Sequence, residues 1–245
     1  MRLVFLSVVF VLSFIVAAGA AIPLSFVMKR SGLSVDNVSW QQARGTIWNG
    51  QVTGLEVEGQ PAGAVSLSFR PQDILQGRLS HDLIWSGPAG RGTAQVGLSA
   101  AGMNIRGGRA EVSIDTSLVS SRLPKHEATL RITEADMSFE GTDCTVGEGN
   151  VSTQGLSGLT AGYGMHWPEL SGTIRCEAGE VLVDLSGKAD DGATVKVTAS
   201  LRGGGQMELS DVPDSHVEAL LLAGFTNQSG KYVFTESGTQ NRDQP

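Results

Sequence analysis

Clustered basic charge is missing from this chain. Its 18 Lys and Arg residues are outnumbered by 25 Asp and Glu, the net charge is −7, and no basic run exceeds Lys29-Arg30. That excludes nucleic acid as a partner, because phosphate recognition needs Lys and Arg gathered on one surface. Charge of either sign is sparse, at 18% against a usual ~25%, yet 40% of residues are apolar, which is enough to bury a core and excludes full-length disorder. The 32 glycines follow no three-residue period, so a collagen-like helix is excluded too. Cysteine is almost absent. Cys144 and Cys176 form no C-x-x-C pair, and none of His81, His126, His166 and His216 stands at zinc-ligand spacing. Nucleophile elbows, phosphate-binding glycine loops and H-E-x-x-H helices are also lacking. His81 and Asp82 are neighbours, but adjacent strand residues point to opposite faces. Glu177 and Glu180 make a carboxylate pair that nothing else in the sequence supports. No enzyme, cofactor or metal is expected.

What is present begins with a long apolar run. Residues 3–28 carry no charge, and their polar side chains are Ser7, Ser13 and Ser25 alone. The run exceeds the ~20 residues that cross a bilayer as a helix. Ala18-Gly19-Ala20 has the small-x-small form of a signal-peptidase site, but the run continues through Ile22, Leu24, Phe26 and Val27, which favours a retained anchor. Basic residues flank both ends (Arg2, then Lys29 and Arg30), so charge does not set the orientation. Cys144 and Cys176 bear on the compartment. Either they are buried free thiols, or they pair as cysteines of exported chains usually do, closing a loop of about 33 residues. Both readings of the N-terminus deliver residues 31–245 outside the cytoplasm.

Past residue 30 the dominant period is two. Val65, Leu67 and Phe69 alternate with serines, and Val112, Ile114, Thr116 and Leu118 alternate with polar residues. Ala128, Leu130 and Ile132 are followed by Ala135, Met137 and Phe139, then by Val181, Val183 and Leu185. The cleanest set is Ala193, Val195, Val197, Ala199 and Leu201. Such alternation predicts strands with one wet and one dry face. Asn49-Gly50, as a type I′ hairpin, with Gly107-Gly108, Asp191-Gly192 and Gly203-Gly204-Gly205, supplies turns between them. Helix is scarce. Pro71 to Gly77 reads as a single turn, and Asp214 to Ala223 as a helix capped by Asp214 or Ser215, with Val217, Leu220 and Leu221 on its apolar face and Gly224 at its end. The expected fold is mainly β: an N-terminal transmembrane helix followed by a curved antiparallel sheet domain with one or two short helices. Residues 1–30 form the anchor or uncleaved signal, 31–234 one β-rich domain, and 235–245 a disordered tail.

Four blocks carry a resemblance. They are Gly45-Thr46-Ile47-Trp48-Asn49-Gly50; Phe69-Arg70-Pro71 with Ile74-Leu75-Gln76-Gly77-Arg78-Leu79 and Asp82-Leu83; Tyr163-Gly164 with Trp167-Pro168-Glu169-Leu170-Ser171-Gly172, Cys176-Glu177 and Gly179; and Leu220 to Phe225 with Gly230-Lys231-Tyr232. In this order they resemble the type II secretion system protein N family, whose wider relatives are AsmA-like envelope proteins. The motif residues are Gly45, Thr46, Trp48, Gly50, Pro71, Gly77 and Arg78. Trp48 and Trp85 also fit as plain core residues at sheet ends, and the glycines fit as backbone devices. Arg70 and Arg78 admit two readings, lipid phosphate or a local ion partner.

The resemblance implies a non-enzymatic envelope component that works by protein interaction in the periplasm. It would sit in the inner membrane as a single-pass protein through residues 3–28, with other secretion-system components as partners. The AsmA-like likeness implies an alternative, a lipid-binding or lipid-transfer module with an apolar groove.

Overall fold

Alternating apolar and polar residues lay out strand after strand, and the computed structural model pairs them antiparallel in chain order. It describes residues 21–30, 38–57, 59–99, 102–115, 127–155, 169–201 and 203–237. The protein is mainly β with a few short helices. The chain divides into two compact units, Met1–Gly97 and Leu98–Pro245.

The first unit opens with helix α1 (Leu24–Arg30). Its strands are β1 (Val38–Ser39), β2 (Gln42–Gly45), β3 (Asn49–Val57), β4 (Gln60–Arg70), β5 (Leu79–Gly87) and β6 (Gly90–Ser99). They run in the order β1-β3-β4-β5-β6, with β2 beside β3 as well. Residues directly opposite share a face. Val52, Val65 and Trp85 form one row, and Gly50, Leu67 and Leu83 the next on the same face. Between β4 and β5 lies a 3₁₀ turn, Pro71–Gln76, with proline at its start and Gly77 left-handed at its end, as the sequence predicts.

The second unit contains β7 (Gly102–Asp115), β8 (Glu127–Glu140), β9 (Asp143–Thr153), β10 (Leu170–Glu177), β11 (Glu180–Lys188), β12 (Thr194–Ser200), β13 (Gly204–Ser210), helix α2 (Asp214–Leu222), β14 (Thr226–Gln228) and β15 (Lys231–Ser237). The order is β7-β8-β9-β10-β11-β12-β13-β15-β14, so only the final hairpin departs from a meander. One row, Ala110, Ile132, Val151, Gly172, Leu185, Val197, Met207 and Phe234, crosses eight strands without a polar side chain. The row beside it, on the opposite face, runs Glu111, Arg131, Ser152, Ser171, Ser186, Lys196 and Glu208. The core lies on the apolar face, where Val151 and Leu170 are nearly inaccessible and Val195 wholly so. Val217 and Leu220 of α2 pack against it.

Several sequence expectations need correcting. Asn49-Gly50 is no type I′ turn: both residues lie in β3, opposite Ser68 and Leu67, and the bend falls on residues 46–48. Gly107-Gly108 lies inside β7, where it forms a bulge instead of a connection. Neither Asp214 nor Ser215 caps α2; Pro213 holds that position without a side-chain bond, and Asp214 is already helical. Leu221 is half exposed, so the apolar face of α2 is Val217 and Leu220. Gly224, at φ 95°, does end the helix. Its N–H donates to the Leu221 carbonyl and that of Phe225 to the Leu220 carbonyl, the paired bonds that close many helices through a left-handed residue. Thr235–Ser237, placed in a disordered tail by the sequence, pair with β13. Residues 3–20 of the proposed anchor lie outside the described residues, as do Thr116, Leu118, Tyr163, Trp167 and 238–245. Among those described, no helix is long and apolar enough to cross a membrane.

Candidate interaction site at the start of the first sheet

Six residues, 45–50, bring together residues 22–24 and the first sheet. Gly45 takes φ 81°, which the chain needs to leave β2, and the Thr46 N–H then donates to the Asn49 carbonyl at 3.0 Å. The Thr46 hydroxyl accepts from the backbone N–H groups of Trp48 and Asn49, both at 3.3 Å, which fixes the turn from inside. Its outer edge is left to pair with the segment before α1. The Ile47 N–H donates to the Ile22 carbonyl at 3.1 Å, and Pro23 forms a bridge to Thr46. Leu24, the first residue of α1, is buried at 5% exposure over Gly50.

The second motif joins the first through two aromatic contacts. Trp48 and Phe69 meet edge to face, centroids 4.6 Å apart and planes at 68°, while the Phe69 N–H donates to the Trp48 carbonyl at 2.7 Å. Phe69 lies opposite His81 with ring centroids 5.4 Å apart. The His81 Nε2 is 2.9 Å from the Ile47 carbonyl, so Nε2 carries the proton there. Trp48 and Trp85 are both half-buried. The Trp85 Nε1 donates to the Ala62 carbonyl at 2.6 Å.

The opposite face of the same strands is ionic. Arg70 Nη1 donates to Asp82 at 3.1 Å, and Arg70 Nε stands 3.7 Å from Asp73. Arg78 Nη2 donates to Gln76 Oε1. Of the two readings of Arg70, the local ion partner is the one seen. His81 and Asp82 do point to opposite faces, one toward the aromatic cluster and the other toward Arg70.

In the second unit, Cys144 and Cys176 form a disulfide with Cα atoms 5.6 Å apart. It ties the start of β9 to the end of β10, beside the bond from the Cys144 N–H to the Gly179 carbonyl at 2.9 Å. Gly147 makes room: a Cβ there would stand 2.8 Å from Cys176 Sγ. On the polar face Arg175 donates to both Asp184 and Glu177, and the Thr198 hydroxyl donates to Asp184 at 2.6 Å. The Arg175 hydrogen bond, then that of Thr198, hold the Asp184 carboxyl below its ordinary range against partial burial. Glu177 and Glu180 do lie opposite each other, but Arg175 holds the first and the Ser200 hydroxyl donates to the second.

Gly45, Thr46, Trp48 and Gly50 thus lie in or beside the turn that Phe69 and His81 close, while Pro71, Gly77 and Arg78 belong to the β4–β5 connection that follows Phe69 and Arg70 in the chain. The sequence did not reveal Ile22, Leu24, Phe69 and His81 as the partners of that first turn. Its one pointer was Phe69 and His81 standing close to symmetrically about a predicted turn.

The class is a mainly β protein of antiparallel sheets, with a backbone clasp where its N-terminal segment enters. The family model described as Type II secretion system (T2SS), protein N matches residues 36–235. The chain belongs to that family, and is a secretion-system component associated with the cell envelope. No curated protein and no solved structure matches it.

Proposed function

We propose that this protein is a non-enzymatic component of the type II secretion machinery, held in the inner membrane by residues 3–20, the part of the 3–28 apolar run that precedes the pairing of Ile22 and Pro23 with the sheet. Its β-rich part, residues 31–234, stands in the periplasm and binds other secretion components. The pairing of Ile22 and Pro23 with the 46–48 turn carries this reading: an apolar run that ends in the sheet itself transmits position from the membrane to the strands. The disulfide supports an oxidising compartment. Affinity capture of the tagged full chain from its own membranes tests the proposal. Enrichment of other secretion components is expected, whereas a chain recovered alone after mild crosslinking speaks against it. N-terminal sequencing that begins at Ala21 would remove the anchor.

A second reading, lipid binding, is favoured by the apolar row that crosses eight strands of the second unit. Phospholipid that remains with the chain after delipidation, in a fixed molar ratio, would support it.

A further inference from the structure

The second sequence motif contains three apolar residues that the fold does not bury. Leu75 is 92% exposed and Ile74 50%, both in the connection between β4 and β5, and Leu79, the first residue of β5, is 47% exposed. A single exposed leucine needs no explanation, but two apolar residues in one short turn with a third where the chain leaves it form a patch. The turn is not loose. Pro71 and Gly77 fix its ends, and the Gly77 and Arg78 N–H groups donate to Ile74 and Asp73 carbonyls at 2.9 and 3.1 Å. Its apolar side chains are therefore presented on a rigid support.

The position of the turn says what it meets. It follows Phe69 and Arg70, and Phe69 is bonded to Trp48 in the turn that receives Ile22. Ile22 and Pro23, which follow the proposed anchor in the chain, therefore lie at the end of the first unit from which the β4–β5 turn projects. Phe26, in the first turn of α1, is 54% exposed at that same end. Charge agrees. Lys29, Arg30 and Arg44 of the same unit are exposed, Arg44 directly before Gly45 of the receiving turn, whereas Asp73 and Asp82 are both engaged by Arg70. Apolar residues backed by cations suit the headgroup layer of an anionic bilayer.

We propose that the β4–β5 turn dips Ile74, Leu75 and Leu79 into the headgroup region of the bilayer that residues 3–20 enter. The turn would be a second contact beside the anchor. It would fix how the first unit stands on the membrane, which a lone helix leaves free to swivel. This proposal rests on the anchored reading above.

The test uses the full chain in nanodiscs of phosphatidylethanolamine and phosphatidylglycerol. Leu75→Cys and Gln60→Cys variants each carry an environment-sensitive NBD label; the native cysteines are bonded to each other and take none. Gln60 is exposed at the far end of β4, roughly 30 Å along the strand. The label at position 75 should emit at shorter wavelength and be quenched by doxyl-labelled lipid, while that at position 60 does neither. A chain that stays in the disc with position 75 as unquenched as position 60 overturns the membrane contact and leaves the anchor standing. A chain that leaves the disc overturns the anchor and the contact together. Shielding at position 75 that needs added secretion proteins, and ignores the quenching lipid, assigns the patch to protein and overturns the proposal.

Discussion

Leu24 Cδ2 lies 2.6 Å from the point that a Cβ on residue 50 would occupy, and the Thr46 carbonyl oxygen lies 2.7 Å from it. The leucine tip can swing aside, but the carbonyl belongs to the turn backbone and cannot. Gly50→Ala is therefore expected to destabilise the first unit by about 1–3 kcal/mol, the usual range for overpacking. Leu24→Ala in the same chain should recover part of that loss, because the two residues are in contact. Urea unfolding followed by tryptophan emission measures both, and strictly additive losses would separate Gly50 from the helix.

Trp48→Ala should cost about 2 kcal/mol, less than the 3–5 typical of a fully buried aromatic, because the ring is half-buried. Trp48→Phe keeps an aromatic edge for Phe69 and should lose less than half as much. If both variants unfold at the native urea midpoint, Trp48 has no structural role and becomes a candidate contact for a partner.

Much of this fold was legible because period two survives wherever one sheet face is buried. Val195 and Val197 report their strand without any knowledge of its neighbours. Turns were less legible. Asn49-Gly50 has turn chemistry, yet Gly50 is needed in a strand because Leu24 and the Thr46 carbonyl approach it closely, a reason invisible in local sequence. Gly107-Gly108 misled in the same way: it serves a bulge across from Ala135. The clasp itself was hidden, since Ile22 and Ile47 meet through backbone atoms and any residue but proline at position 47 supplies the same N–H.

Reduction should loosen the second unit and leave the first unchanged. The Cys144–Cys176 bond spans 32 positions, and chain entropy then stabilises the folded state by about 3–4 kcal/mol. A Cys144→Ser, Cys176→Ser double variant should therefore melt at lower temperature, and added reductant should lower the melting point of the native chain alone. Two alkylatable thiols in denatured, unreduced protein would remove the bridge.

Asp184 gives a signed pH dependence. Its carboxyl is held below the ordinary 3.8 by the Arg175 hydrogen bond first and by Thr198 next. A group whose folded pKa is depressed stabilises the fold above its unfolded value, and that contribution is lost as pH falls through the folded value. The side chain is 35% exposed, so solvent screening limits the effect to about 1 kcal/mol or less. Asp184→Asn should be less stable than the native chain at pH 7, with the gap closing below about pH 4. A gap that stays constant from pH 7 to pH 3 would show that lost packing, not charge, is responsible.

The bulge in β8 allows a change that should stabilise the protein. Apolar alternation slips by one between Ile132 and Ala135, and the extra residue is Glu134, left-handed at φ 56°. Its side chain is exposed, whereas Ala135 is only 2% exposed, between Gly108 and Gly149. Across the pair, the Gly107 N–H donates to Asp136 Oδ1 at 2.7 Å, which locks the two bulged strands in register. A non-glycine residue in that region costs about 1–2 kcal/mol, and glycine returns about 0.5–1 of it as extra chain entropy when unfolded. Glu134→Gly should therefore raise stability by up to about 1 kcal/mol. Ala135→Val should lower it by about 1–3 kcal/mol, because Cβ atoms added at positions 108 and 149 would already stand 3.2 Å from the Ala135 methyl. Denaturant midpoints of the two variants should thus move in opposite directions. A loss of stability in Glu134→Gly would mean that the glutamate side chain, not the backbone bend, is what position 134 requires.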